Sequence, residues 1–217
     1  MRTEKYINQK KRLPESGRQV IGHLNDEDIT VYQAYNDQIA EYAVKHQQFG
    51  GPHYSFNRMS WIKPGFLWMM HRAGWAMKEN QQRILAIVLP KRHFKTILKE
   101  ATITSYDEHF FPSHEEWKKQ LELTEVRLQW DPDHDPLGNK ETRKAIQIGM
   151  KGEVLKCFGT EWITDIQDIT SFVRSEYDKV LNNSIVELNV PFEEVLELHD
   201  EEIEKRIGIQ KGKDSLT

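Results

Sequence analysis

Three stretches of the chain gather residue types that can do chemistry. The first is RMSWIKPGFLWMMHRAGW, Arg58 to Trp75. Trp61, Trp68 and Trp75 are interleaved there with Arg58, Lys63, His71 and Arg72, and Ser60 adds a hydroxyl. Aromatic faces stack on a planar ring while Arg and Lys hold phosphates, so this pattern suits a planar, anionic ligand. Phe66, Leu67, Met69 and Met70 read as packing residues. Arg58, Lys63 and Arg72 sit less easily in a core, because buried cations need partners. The second stretch is QWDPDHDPLGN, Gln129 to Asn139. Asp131, Asp133, His134 and Asp135 are ligand types for a divalent cation. Their spacing is not that of an EF-hand, and the prolines already explain a polar turn after a strand, so no metal is expected. The third is GTEWITDIQDIT, Gly159 to Thr170. Glu161 at the head of a strand could serve as a catalytic acid or base, or bond a sugar hydroxyl. The alternative is a solvent-facing strand end.

Other chemistries lack their signatures. There is no GxGxxG, no Walker loop, no HExxH, no GxSxG elbow and no cysteine pair for zinc. The lone Cys157, in LKCFG, reads as a structural thiol.

The elements that must position these residues follow from periodicity and punctuation. Arg18–Leu24 and Ile29–Tyr35 read as a hairpin around the turn-like Asn25-Asp26-Glu27-Asp28. Asn36 caps a helix to about Phe49, ended by Gly50-Gly51-Pro52. Phe56–Ile62 reads as a strand, and Pro64 opens a helix that Gly74 stops. RILAIVL, Arg83–Leu89, is a buried strand, and Pro90 starts the next helix. Ser113 and Glu116 form a capping box. Glu125–Trp130 is a strand, Asp131–Asn139 a loop and Lys144–Phe158 a helix. A strand at Glu161–Ile166, a helix from Asp168 to about Leu181, a strand near Val195–Leu198 and a helix over Asp200–Ile207 complete the chain. Strands mixed with helices, without strict alternation, indicate one α+β domain with a mixed or antiparallel sheet and flanking helices. That domain covers residues 17–209, between a loose arm (1–16) and a polar tail (210–217).

Composition bounds the rest. The 217 residues are 38% hydrophobic and 29% charged, with net charge −4. No stretch approaches the ~20 apolar residues of a spanning helix. The basic N-terminus has no apolar segment of the secretory type. With a single cysteine, this points to a reducing cytoplasm. From Arg58 to Lys99 the only acid is Glu79, whereas Glu187 to Glu204 is acidic without Lys or Arg. A basic centre of this kind suits an anionic partner, a nucleotide or nucleic acid, and no membrane.

VYQAYNDQIAEYAV, RMSWIKPGFLWMMHRAGW, RILAIVL, VRLQWDP, KAIQIGM and EWITDIQDIT resemble the domain of unknown function 4291 family, over about Arg18 to Ile209. That resemblance brings no activity. The element order across Ile29–Leu89 is also similar to the front half of ADP-ribosyltransferases of the diphtheria-toxin and PARP type. Tyr32-Gln33-Ala34 stands where those enzymes have Tyr-His-Gly. Met59-Ser60-Trp61 stands for Tyr-Ser-Thr, Ala73-Gly74-Trp75 for Ala-Gly-Tyr, and Glu161 for the catalytic glutamate. Gln33 replaces the ribose-gripping histidine, Ala34 the glycine and Met59 the first aromatic of the second motif. The resemblance implies NAD as substrate and ADP-ribose transfer to a nucleic-acid or protein acceptor. Gln33 and Ser60 would then hold ribose hydroxyls, Arg58 or Arg72 the pyrophosphate, and Trp61 and Trp75 the nicotinamide. Lys63 belongs to the same ligand edge. The competing expectation is a nucleotide or nucleic-acid binding module without catalysis.

Overall fold

In the computed structural model, which describes residues 1–212, the N-terminal segment is not a loose arm. It forms strand β1 (Thr3–Lys5) and helix α1 (Tyr6–Arg12). Tyr6, Gln9 and Leu13 are buried. Their spacing is a helical stripe, obscured in the sequence by the flanking Lys10, Lys11 and Arg12. Next come β2 (Gly17–Arg18), β3 (Ile21–Leu24) and β4 (Asp28–Tyr35). The expected hairpin is β3–β4, with His23 opposite Thr30. Asn25 closes its turn by accepting from the N–H groups of Glu27 and Asp28 at 2.9 and 2.6 Å. The expected strand Arg18–Leu24 is in fact split between two sheets.

Asn36 caps α2 (Asp37–His46), its Oδ1 accepting from Ile39 N at 3.1 Å. The helix stops at Gln47, before the glycines, because Gln47 turns left-handed and its side chain pairs with the backbone of Ile166. Then follow β5 (Ser60–Ile62), α3 (Phe66–Ala73), β6 (Arg83–Pro90), α4 (Lys91–Lys99), β7 (Ala101–Ile103) and α5 (His114–Leu123). Gly74, at φ 55°, ends α3 in the left-handed conformation that favours glycine.

The next region departs most from expectation. Strand β8 (Val126–His134) runs into the first half of the segment expected to be a loop, and β9 (Lys140–Met150) takes the first half of the helix expected over Lys144–Phe158, whose second half is helical. A register shift between Pro132 and His134 accommodates the proline. The helical appearance of KAIQIGM has a physical cause. Ala145 to Met150 is buried on both faces, so no two-residue alternation of polarity survives. The chain continues through α6 (Gly152–Cys157), a π-helical turn at Phe158–Trp162, β10 (Asp165–Asp168), α7 (Thr170–Leu181), a 3-10 turn, β11 (Asn189–Pro191), β12 (Glu194–Val195), α8 (Glu201–Ile207) and β13 (Gln210–Lys211). Of the expected polar tail, Gln210 and Lys211 pair with β2, and residues 213–217 lie outside the described range. No helix among the described residues is long and apolar enough to cross a membrane.

The architecture is α+β. One antiparallel sheet has the order β10-β6-β4-β3-β12, and a mixed sheet has the order β13-β2-β9-β8-β7 with β5 also on β9. Among the described residues one isolated backbone bridge joins these two sheets. Tyr32 N donates to Lys63 O at 2.7 Å, and Lys63 N donates to Tyr32 O at 3.1 Å. Along both chains from this bridge lie Gln33–Tyr35 and Ser60–Trp61, which line the same cleft.

Candidate functional site

Strand periodicity decides what faces that cleft. Trp61 is opposite Gly149, Ile62 opposite Ile148, and Gln129 opposite Gln147. Lys63 therefore stands beside Gln147, and Trp61, Lys63, Gln147 and Gln129 share one face. The opposite face carries Ile62, Ile148 and Leu128, all fully buried in the core. The open space on the polar face is about 850 Å³.

Gln33 and Ser60 meet directly at the divergence of β4 and β5. Gln33 Nε2 donates to Ser60 Oγ at 2.7 Å and to Trp61 O at 3.1 Å. The Tyr35 hydroxyl shares a hydrogen bond with Ser60 Oγ at 3.0 Å. Gln33 Oε1 is buried without a partner. Tyr54 stacks on Phe49 at 4.9 Å, so the cleft has an aromatic side.

Lys63 is the main electrostatic feature. It is only 6% exposed. Its Nζ reaches Trp61 O at a long 3.5 Å, and among the described residues it makes no ion pair. Burial pushes its ammonium down to about 8, assisted by the positive Arg72 and opposed by Asp131. Arg58 and Arg72 line the same cleft, and no Asp or Glu is among its described lining residues. Asp131, two residues on from Gln129 along the same face of β8, accepts from Gln129 Nε2 and Gln147 Nε2, both at 2.8 Å.

Of the residues expected from sequence, Gln33, Arg58, Ser60, Trp61, Lys63 and Arg72 line this one cleft. Trp75 does not. It follows the left-handed Gly74, is 7% exposed, and packs between Phe66 and Tyr177 at 6.1 and 5.6 Å. Its Ala-Gly-Trp motif is a helix terminus followed by a core ring. Glu161 is also elsewhere. It is exposed on the π-helical turn, absent from the cleft lining, and the strand it was expected to begin starts at Asp165. The carboxylates of QWDPDHDPLGN are already engaged. Asp133 pairs with Arg143 at 2.6 Å, and Asp135 accepts from Asn139 and Leu137. Among the described residues no cluster of His, Cys, Asp or Glu is arranged to hold a metal ion.

Gln129, Gln147 and Tyr54 escaped the sequence reading. The alternation of VRLQWD placed Gln129 on a strand, but its facing Gln147 lay in a segment read as a helix. Gly149 is needed for close approach on this wall. A Cβ there would meet Met59 Sδ and the Trp61 ring at 2.8 Å. Gly149→Ala is therefore expected to destabilise the fold by about 1–3 kcal/mol. An unchanged midpoint in chemical denaturation would contradict that.

Comparison with protein-family models matches residues 19–196 to the one described as Domain of unknown function (DUF4291). Comparison with curated proteins gives no match.

Proposed function

Since the chain belongs to the DUF4291 family, whose description names no activity, its chemistry has to come from the cleft, and we propose that the cleft binds a phosphorylated nucleotide, specifically NAD. Lys63 carries this reading. A buried ammonium without a carboxylate is costly, and a phosphate entering from the cleft would supply the missing counter-charge through short, charge-assisted hydrogen bonds. Arg72 and Arg58 extend the positive wall along a diphosphate. Tyr54 and Trp61 offer ring faces to a base. NAD is singled out by the resemblance of Tyr32-Gln33-Ala34 and Met59-Ser60-Trp61 to ADP-ribosyltransferase motifs, whose central residues here are hydrogen-bonded to each other.

That same hydrogen bond favours a second reading, transfer of ADP-ribose from NAD to an acceptor. Such a reaction would proceed without Glu161. If nicotinamide is released on incubation with NAD and protein or nucleic acid, Glu161→Gln is expected to release it at the wild-type rate. A large loss in that variant would restore Glu161 to the site.

The binding reading is tested by calorimetric titration with NAD, ADP-ribose and single-stranded RNA at two salt concentrations. NAD and ADP-ribose are expected to bind, and more weakly at high salt, because the contacts are ionic. Affinity is also expected to fall as pH rises through about 8, where Lys63 loses its proton. Binding of RNA alone would contradict NAD as the ligand. Absence of all binding at low salt would contradict the site.

A further inference from the structure

Four glutamines line the cleft, and in three of them, Gln33, Gln129 and Gln147, the amide orientation is fixed by its partners. A carboxylate only accepts hydrogen bonds, so the groups that Gln129 and Gln147 turn towards Asp131 must be their NH2 ends. The carbonyl of Trp61 likewise only accepts, so Gln33 gives its NH2 to it and to Ser60. Each amide therefore keeps its Oε1 as a remaining acceptor. Gln33 is 3% exposed, and its Oε1 is buried without a partner. Gln147 is 8% exposed, and no donor among the described residues reaches its Oε1 or that of Gln129. Gln129 and Gln147 are direct cross-strand partners, which sets their side chains next to each other. Donation to a shared carboxylate also polarises both amides, making their carbonyl oxygens stronger acceptors.

We propose that the wall of Gln33, Gln129 and Gln147 selects a ligand presenting an NH2 group on its planar ring, an exocyclic amine or a carboxamide, over counterparts that lack it. This rests on the reading of the cleft as a nucleotide site. Gln33 Oε1 is a buried acceptor left unpaired, which is costly, so a site built around it rejects an analogue without the donor. The NH2 group would bond to these carbonyl oxygens while the cations Lys63 and Arg72 take the phosphates. The cations of the cleft wall do not reproduce this preference, because they donate to oxygens and would favour an oxo group if they faced the ring.

The test compares three dinucleotides by calorimetry: NAD, nicotinamide hypoxanthine dinucleotide, and 3-acetylpyridine adenine dinucleotide. The first analogue replaces the adenine NH2 by an oxo group. The second replaces the carboxamide NH2 by a methyl group. All three carry the same diphosphate. At least one analogue is expected to bind at least about fivefold more weakly than NAD, the effect of roughly one lost hydrogen bond. In Gln129→Met/Gln147→Met, which keeps side-chain length but removes both carbonyls, that ratio is expected to shrink. Both analogues binding wild type within fivefold of NAD would overturn the proposal while leaving the nucleotide site standing. If none of the three binds, the nucleotide reading itself fails and the proposal with it. Should the double variant not fold, the wild-type comparison alone decides.

Discussion

Lys63→Met is expected to weaken NAD binding about 10- to 100-fold at pH 7 without destabilising the protein. The affinity loss follows from removing one charge-assisted hydrogen bond to a phosphate, worth about 1.5–3 kcal/mol. The stability result separates a ligand-binding role from a structural one. A lysine that held the fold together would cost stability when truncated. Lys63 instead makes no ion pair among the described residues and one long bond, to Trp61 O. Replacing an unpaired buried cation by an apolar side chain of similar length is neutral or stabilising. The pH profile adds a second signature. Wild-type affinity is expected to fall as pH passes about 8, where Lys63 loses its proton, while the variant is expected to show no such step. Denaturation and titration on the same preparation check both halves. Loss of stability together with unchanged affinity would reverse the assignment.

Glu193→Ala is expected to destabilise the fold by about 3 kcal/mol or more. Glu193 is buried between α1 and α3. Its Oε1 accepts from Phe66 N at 2.7 Å and its Oε2 from Gln9 Nε2 at 3.2 Å, while its own N–H donates to Gln9 Oε1 at 2.9 Å. Gly65 precedes α3 and has no side chain to cap it, so Glu193 supplies the acceptor from a distant part of the chain. The carboxyl is pushed up to about 8 by burial, against the pull of the Phe66 N–H. The folded state thus holds a proton that the unfolded chain releases near 4.5. This contribution is full below pH 4.5 and is lost as pH rises through about 8. Wild-type stability should therefore fall by about 2–4 kcal/mol from pH 5 to pH 8, and Glu193→Gln should flatten that slope. The consequence reaches the cleft, because α3 delivers Met69 and Arg72 to it. A stability profile identical in wild type and Glu193→Gln would contradict this role.

What the sequence revealed of the fold was what local chemistry specifies. The Asn25 turn, the Asn36 and Ser113 caps, the Gly74 stop and the apolar RILAIVL strand each depend on neighbours within a few residues, and each lies where periodicity placed it. The failures lie where distant contacts override local pattern. Ala145 to Met150 of β9 is buried without a break, so its strand period disappears. Tyr6, Gln9 and Leu13 gain their meaning only from Glu193 and the segment around it. The site divides in the same way. The cations and Ser60 of the tryptophan-rich stretch reach the cleft because β5 and α3 are contiguous with it. Trp75 has the same composition signal but falls beyond the helix stop, where its ring turns into the core. Gln147 gave no signal, since a glutamine inside an apolar run carries meaning only once Gln129 and Asp131 are seen beside it.

The most direct test is a crystal structure of the protein grown with NAD or ADP-ribose. The diphosphate is expected between Lys63 and Arg72, with Lys63 Nζ within hydrogen-bonding distance of a phosphate oxygen and the ligand ring against the cleft of Gln33, Ser60 and Gln147. A ligand bound away from Lys63, or a cleft left empty at saturating ligand, would contradict the account.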